Sequence, residues 1–373
     1  MIPRYVFEET LLDFFAPIRQ FLEDPTVSEI MINGATQIFI ERKGILELTD
    51  AKFDQTEKLV AALRNAAQYV GKHIDAEHPI LEGRLPDGSR LEAVLPPAAP
   101  GGPCVSIRRF FKETLTVKRL IDFGALTEDA ALTLKAFVAG KLNILVAGGT
   151  GSGKTSMLNA LSSFIPHTER VVVIEDSQEL QLQRKHVVHL EARPPDERGR
   201  GQVTIRELFR ATLRLRPDRI VIGEIRSGEA LDLIQAMTSG HGGCLTTLHA
   251  TYPRDTLSRL ETMAMMSDLS MPLAALRIQL GSAVNILVQT ARLQDGSRKI
   301  THITEVIHFD PKGGEYHLQD IFLRQTHGIN ENGKITNDLV PTGKLPQTLP
   351  QIKERGLDLP DSVYQAAKGY STT

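Results

Sequence analysis

Gly148-Gly149-Thr150-Gly151-Ser152-Gly153-Lys154-Thr155 stands between an apolar run, Asn143-Ile144-Leu145-Val146-Ala147, and Ser156-Met157-Leu158-Asn159-Ala160-Leu161. The run reads as a buried parallel strand and the following segment as the start of a helix. Strand, glycine-rich loop, then Lys and Thr opening a helix is the context a P-loop needs. Glycines let the backbone curl until successive N–H groups point inward at a polyphosphate. The helix N-terminus adds its orphan donors and the positive end of its dipole. Lys154 is placed to reach the β- and γ-phosphates, and the Thr155 hydroxyl to hold magnesium. A glycine-rich surface turn is the bland alternative. A lone GxGxxG would leave it open, but GxxxxGKT with these flanks does not. The reading is therefore ATP with Mg2+, bound by Gly148, Gly149, Thr150, Gly151, Ser152, Gly153, Lys154 and Thr155.

Working outward, Leu120 to about His308 alternates strand-like and helix-like segments, as a mainly parallel sheet requires. Arg170-Val171-Val172-Val173-Ile174 ends in Glu175-Asp176, and Arg219-Ile220-Val221-Ile222 ends in Gly223-Glu224. Cys244-Leu245-Thr246-Thr247-Leu248 ends in His249. Ligands of open α/β sheets gather beyond the carboxyl ends of strands. A P-loop, two carboxylates and a histidine at four strand ends fit that rule.

The first part of the chain reads as a small α/β module without a catalytic motif of its own. Leu11, Leu12, Phe14, Phe15, Ile18, Phe21 and Leu22 recur near helical spacing and face a core. A hairpin is expected from 37–42 and 45–48 around Lys43-Gly44, then a helix from Thr56 to Val70. Further strands are expected at 91–95 and 105–110, separated by a Pro/Gly loop. The domain reading is an N-terminal domain over 1–112 and a linker over 113–120. The ATPase domain then covers 121–315, and a tail of short strands and turns covers 316–373.

The bulk properties exclude several classes. The 373 residues carry a net charge of −2, so no global basic field argues for nucleic acid. There is no Trp and 5% aromatic residues, which disfavours direct grip on a single strand. Two cysteines far apart suggest neither a disulfide framework nor a zinc site. No apolar run reaches a membrane-spanning length. The start has no signal-peptide pattern, so a cytoplasmic protein is expected, docking on a membrane through partners.

ATP hydrolysis needs an activated water, a metal ion and cations for developing charge. Glu175 and Glu224 are the carboxylate candidates: one polarises the water while the other holds the metal. Either acid alone reads equally well as the cap of a turn, but both together downstream of a P-loop argue against that. Asp176 and Glu179 read as capping or structural. His241 and His249 bracket a glycine-rich segment, and each is a candidate to sense the γ-phosphate or to hydrogen-bond Glu224. Arg206, Arg210 and Arg214 lie at i, i+4 and i+8 on one helix and read as a solvated or subunit-facing stripe. Arg84, Arg90, Arg108 and Arg109 are candidates to bring positive charge to the phosphates if the first domain closes over them. For Arg84 and Arg109 a purely structural place at turns and strand ends remains open.

With these residues in hand, the chain resembles the secretion ATPases of type II and type IV systems, nearest to the Tad/Flp pilus-assembly motors. Ile174-Glu175-Asp176 with Glu179-Leu180 is similar to the family's Asp box, and Leu213 to Arg226 to its atypical Walker B segment. Thr238-Ser239-Gly240-His241-Gly242-Gly243 through Ala250 is similar to its histidine box. Leu85-Pro86-Asp87-Gly88-Ser89-Arg90 and Ser106-Ile107-Arg108-Arg109-Phe110 resemble first-domain signatures of the Tad/Flp branch. The resemblance implies a PAS-like N-terminal domain joined to a RecA-like domain, assembled as a homo-hexamer. It implies that Glu175 positions the attacking water, Glu224 assists at the metal and His249 senses the γ-phosphate. Arg90 and Arg108 would reach the phosphates from the first domain. It implies a cytoplasmic motor on the inner face of the cell membrane, working through a membrane platform protein. Two departures stand out: the tetra-cysteine zinc motif of many relatives is absent, and the N-terminal extension is short. The alternatives are a conjugative type IV transfer ATPase and a nucleotide-switched scaffold with slow turnover.

Overall fold

The computed structural model describes residues 4–370 apart from 43, 111–114, 197, 198, 270, 332 and 334. The chain forms two compact units, one within residues 1–113 and one within 114–195 and 199–373.

The first unit is built on six strands: β1 (Val27–Asn33), β2 (Gln37–Arg42), β3 (Ile45–Leu48), β4 (Ile80–Arg84), β5 (Arg90–Val94) and β6 (Cys104–Arg108). They pair in the order β3-β2-β1-β6-β5-β4, every neighbour antiparallel. Successive side chains of a strand point to opposite faces. Ile30, Ile32, Ile38, Ile40, Leu91, Ala93, Val105 and Ile107 thus meet one core with Leu59, Ala62, Leu63 and Ala66 of the helix Thr56–Tyr69. Leu11, Phe15, Ile18 and Leu22 of the N-terminal helical stretch close the same core. The hairpin expected around Lys43-Gly44 is β2–β3; Lys43 itself lies outside the described residues.

The second unit carries nine strands: β7 (Ile144–Gly148), β8 (Val171–Glu175), β9 (Val187–Glu191), β10 (Arg219–Ile222), β11 (Leu245–Leu248), β12 (Ile286–Arg292), β13 (Arg298–Asp310), β14 (Glu315–Ile329) and β15 (Ile335–Pro341). Their order is β15-β14-β13-β12-β7-β11-β10-β8-β9. From β12 to β9 all pairs are parallel, and from β12 to β15 all are antiparallel. β7 is apolar throughout because both of its faces are covered. Ile144 and Val146 pack with Phe137, Leu158 and Leu161 on one side, while Leu145 packs with Leu233, Leu260 and Leu280 on the other. Val171 and Val173 against Val172 and Ile174 divide β8 in the same way.

Parallel strands align their carboxyl ends, so Gly148, Leu248, Ile222 and Glu175 finish along one edge. At the opposite edge Arg219 is buried at the root of β10. Its Nε donates to Glu169 Oε2 at 2.5 Å and its Nη1 to Gly243 O at 3.4 Å.

The expectation of short strands and turns beyond Tyr316 does not describe that segment. β14 runs for 15 residues and continues the sheet beside β13. Its side chains are mostly exposed or half-buried, so they lack the apolar run that marks the central strands. The stretch expected as a linker, 113–120, runs into a helix, Val117–Asp122, capped by the Thr116 hydroxyl. Among the described residues no helix is long and apolar enough to cross a membrane.

Candidate functional site

β7 delivers the loop and the helix Lys154–Ser162 receives it. Gly151 and Gly153 sit at φ +69° and +95°, left-handed conformations that a residue with a Cβ adopts only under strain. At Gly148 a Cβ would run into Thr290 and Ser152. Ser152 is buried, donates to Gly149 O at 2.8 Å and stands 2.8 Å from Thr290 Oγ1 on β12. Thr290 Oγ1 in turn donates to Ala147 O at 3.1 Å. The loop is thus fastened to the neighbouring strand from below. Lys154 is 8% exposed, and its Nζ donates to Gly149 O at 3.0 Å. Left-handed glycines, a helix N-terminus, a buried lysine and the Thr155 hydroxyl together suit a nucleotide polyphosphate with a divalent cation.

The next strand along, β11, leads to His249, and β10 leads to Glu224. Lys154 Nζ stands 3.4 Å from His249 Nδ1, and His249 Nε2 stands 2.9 Å from Glu224 Oε1. A cation on one ring nitrogen and a carboxylate on the other assign the proton to Nε2. Burial, then the nearby Lys154, hold the His249 pKa below its ordinary value, against the pull of Glu224. Glu224 Oε2 accepts from Arg226 Nη2 at 2.8 Å, and Arg226 Nη1 pairs with Asp176 Oδ2 at 2.8 Å. Burial opposes the charge on Glu224, yet Arg226, His249 and Lys154 outweigh it and hold the carboxyl below the usual range. Glu224, Ile225, Arg226, His249 and Arg259 line a cleft of ≈ 310 Å³. Thr247 Oγ1 donates to Gly223 O at 2.7 Å, which ties the Glu224 turn to β11.

Glu175 closes β8, beside β10. It is 4% exposed, and its Oε1 accepts from the backbone N–H groups of Glu179 and Leu180, both at 2.9 Å. Burial pushes the carboxyl up to about 7; the two amides offset this in part, and Glu179 and Glu191 add to it. A Cβ on Gly223 would stand 3.0 Å from Glu175 Cγ, so the ends of β10 and β8 are in close contact. Along the edge the order is P-loop, His249, Glu224, Glu175. Lys154, His249 and Glu224 form one contact chain, and Glu175 is the next strand end beyond it.

In the first unit Arg84 is the register partner of Arg90, and Arg90 of Arg108. Residues directly opposite on neighbouring strands share a face, so three guanidinium side chains form one row across β4, β5 and β6. The turn before Arg90 is rigid: Asp87 accepts from Ser89 N at 2.9 Å and from Ser89 Oγ at 2.7 Å. Arg84 Nε donates to Gly88 O at 3.1 Å, and its guanidinium lies over the Phe110 ring. Arg109 turns away and donates to Phe21 O at 2.6 Å.

His241 does not join the phosphate cluster. It precedes β11 at the amino end, where its N–H donates to Ala236 O at 3.1 Å, while His249 follows the carboxyl end. The arginine stripe is exposed at Arg210 and Arg214 and half-buried at Arg206, and two of the three also hold ion pairs within the chain. Arg206 binds Asp232 at 2.6 Å and Asp268 at 2.8 Å, and Arg210 binds Asp232 at 3.0 Å. Sequence reasoning passed over Arg226, Arg259 and Thr290. Arg226 stood two residues after Glu224 inside a quoted motif and was the one with a signal.

A RecA-like sheet headed by a P-loop, with a histidine and two acids on the adjoining strand ends, defines a P-loop ATPase. The chain belongs to the Type II/IV secretion system protein family, whose model matches residues 12–338. It is 34% identical over 295 residues to the conjugal transfer protein TrbB of Rhizobium radiobacter, covering 78% of this chain and 85% of TrbB. It is 33% identical over 312 residues to the type IV secretion system protein PtlH of Bordetella pertussis, covering 77% and 92%. The X-ray structure of the ATPase DotB of Legionella pneumophila matches at a TM-score of 0.54 and 18% identity, over 81% and 82% of the two chains. That likeness speaks to the fold alone. The protein is thus a nucleotide-binding ATPase of the type II/IV secretion class, a RecA-like domain following a smaller N-terminal one.

Proposed function

We propose that this ATPase drives a pilus-assembly or secretion machine by in-line attack of water on the γ-phosphate of ATP. The observation that carries the reading is the unbroken chain from Lys154 through His249 to Glu224 at the head of the P-loop. Lys154 binds the β/γ-phosphates. Glu175, with a carboxyl poised near neutrality, accepts the proton of the attacking water, which approaches Oε2 because Oε1 is held by backbone. His249 reports the γ-phosphate to Glu224, since a phosphate oxygen taking up Lys154 alters what faces Nδ1. Magnesium, held through Thr155 with Glu224 on its side, would neutralise developing charge. Arg90 and Arg108, register partners on β5 and β6, supply positive charge from the first domain.

The same reading has the chain work as a homo-hexamer against a membrane platform protein, from the cytoplasmic face of the inner membrane. The Tad/Flp branch is the finer assignment, supported by Leu85–Arg90 and Ser106–Phe110. The similarity to TrbB supports conjugal transfer as the second setting for the same chemistry. Steady-state ATPase assays test the reading. Lys154→Ala is expected to lose turnover by more than about 100-fold, roughly the weight of one strong electrostatic contact in a transition state. Full activity in that variant would reject the pocket. A wild-type protein without basal activity, and without stimulation by the platform protein, would favour a nucleotide-switched scaffold.

A further inference from the structure

β12 ends at Arg292 and β13 begins at Arg298, and the two are register partners across the hairpin. The register sets two guanidinium side chains on one face at the mouth of this hairpin. Both converge on the P-loop. Arg298 Nε donates to Gly151 O at 2.8 Å. A Cβ built on Gly151 would stand 3.6 Å from Arg292 Nη1, and one on Gly153 would stand 3.6 Å from Arg298 Cδ.

The hairpin is itself rigid. Asp295 Oδ1 accepts from Ser297 N at 3.0 Å and from Ser297 Oγ at 2.6 Å, and Asp295 Oδ2 accepts from Ile335 N of β15 at 3.0 Å. Leu293 N donates to Ser297 O at 2.8 Å, with Gly296 at φ +77° closing the turn.

We propose that this hairpin is an external brace of the phosphate cradle. Arg298 is a positioning residue that pins the Gly151 carbonyl outward, and Arg292 adds positive charge at the loop crest for the bound polyphosphate. The peptide is planar and trans, so fixing a carbonyl outward turns the next N–H, that of Ser152, inward. Inside the loop, Gly149 O collects Ser152 N at 3.3 Å, Ser152 Oγ at 2.8 Å and Lys154 Nζ at 3.0 Å. Three donors already converge on one carbonyl of the loop, so its backbone is held in a single curl before any ligand binds.

The inference rests on the nucleotide reading of the P-loop, and equilibrium titration of the full-length protein with a fluorescent ADP analogue separates the two. Lys154→Ala serves as the reference variant, with thermal unfolding recorded alongside. Arg298→Ala is expected to weaken binding ~10- to 100-fold, the range for one charge-assisted hydrogen bond, with an unchanged unfolding midpoint in the absence of nucleotide. Arg298→Lys should fail to restore affinity, because lysine keeps the charge but has no Nε–H at that place. Arg292→Lys should bind within about threefold of wild type, whereas Arg292→Ala should lose roughly tenfold, as a charge role requires. If Arg298→Ala does not fold, Arg298→Gln takes its place. Wild-type affinity in Arg298→Ala, or full rescue by Arg298→Lys, overturns the brace. Absence of ADP binding by the wild-type protein itself would instead overturn the nucleotide reading.

Discussion

Glu175 and Glu224 both stand at the carboxyl ends of branched apolar runs on neighbouring parallel strands, one residue out of step, yet their surroundings are opposite. Glu175 is buried among backbone amides with other acids nearby, and its carboxyl is pushed up to about 7. Glu224 is held by Arg226, His249 and Lys154, and its carboxyl is held below the usual range. One acid can exchange a proton near neutral pH; the other stays a fixed negative charge. Two titratable groups whose environments drive them apart divide into base and electrostatic anchor.

The largest expected effect tests the base. Glu175→Gln should lower kcat by about 10²- to 10⁴-fold, with ATP affinity nearly unchanged. A loss confined to KM would assign Glu175 to binding. Glu224→Gln should lower kcat by roughly 100-fold and raise the magnesium concentration needed for half-maximal rate. An unaltered magnesium dependence would remove Glu224 from the metal side.

The contrast also has a stability signature. A carboxyl raised from 4.5 to about 7 on folding favours the folded state fully below about pH 4.5, and that contribution fades as pH rises through about 7. Urea unfolding at pH 5.5 and 8.5 should show wild type losing on the order of 2 kcal/mol relative to Glu175→Gln at most. Parallel pH profiles for the two would show that Glu175 does not titrate there. The smallest effect concerns the partner of the anchor. Arg226→Ala removes the pairs to Glu224 and Asp176 and leaves burial to raise the Glu224 carboxyl. A loss of about tenfold in kcat is expected, with the acid limb of the pH–rate profile moved to higher pH. An unmoved limb would mean that Lys154 and His249 suffice.

The strands carrying Gly148, Glu175, Glu224 and His249 were legible because each is a short apolar run bounded by turn residues, and the P-loop fixes their direction. Lateral order was not legible. No local pattern states that β11 lies between β7 and β10, and it is this order that brings His249 between Lys154 and Glu224. His241 shows the cost: eight residues from His249 in sequence, it lies at the other end of a buried strand. The arginine stripe was legible in part for a related reason: helical spacing identified its outward face but not Asp232 on the neighbouring helix. β12, Ile286–Arg292, was hidden because Gln289 and Thr290 interrupt its apolar run; both are buried, Gln289 donating to Ala250 O and Thr290 to Ala147 O. The N-terminal arginine row was half legible: Arg90 and Arg108 stood out by motif, but only the register aligns Arg84 with them.

β10 is four residues long, with Arg219 as its first residue and Glu224 two residues past its last. Gly243, at φ +84°, has the Arg219 guanidinium lying where a side chain would go. A methyl group at 243 would lever the root of this strand, and a rod so short has no slack to absorb the tilt. Damage at the floor of the sheet would surface at its rim, in the aim of an acid that the altered residue never touches.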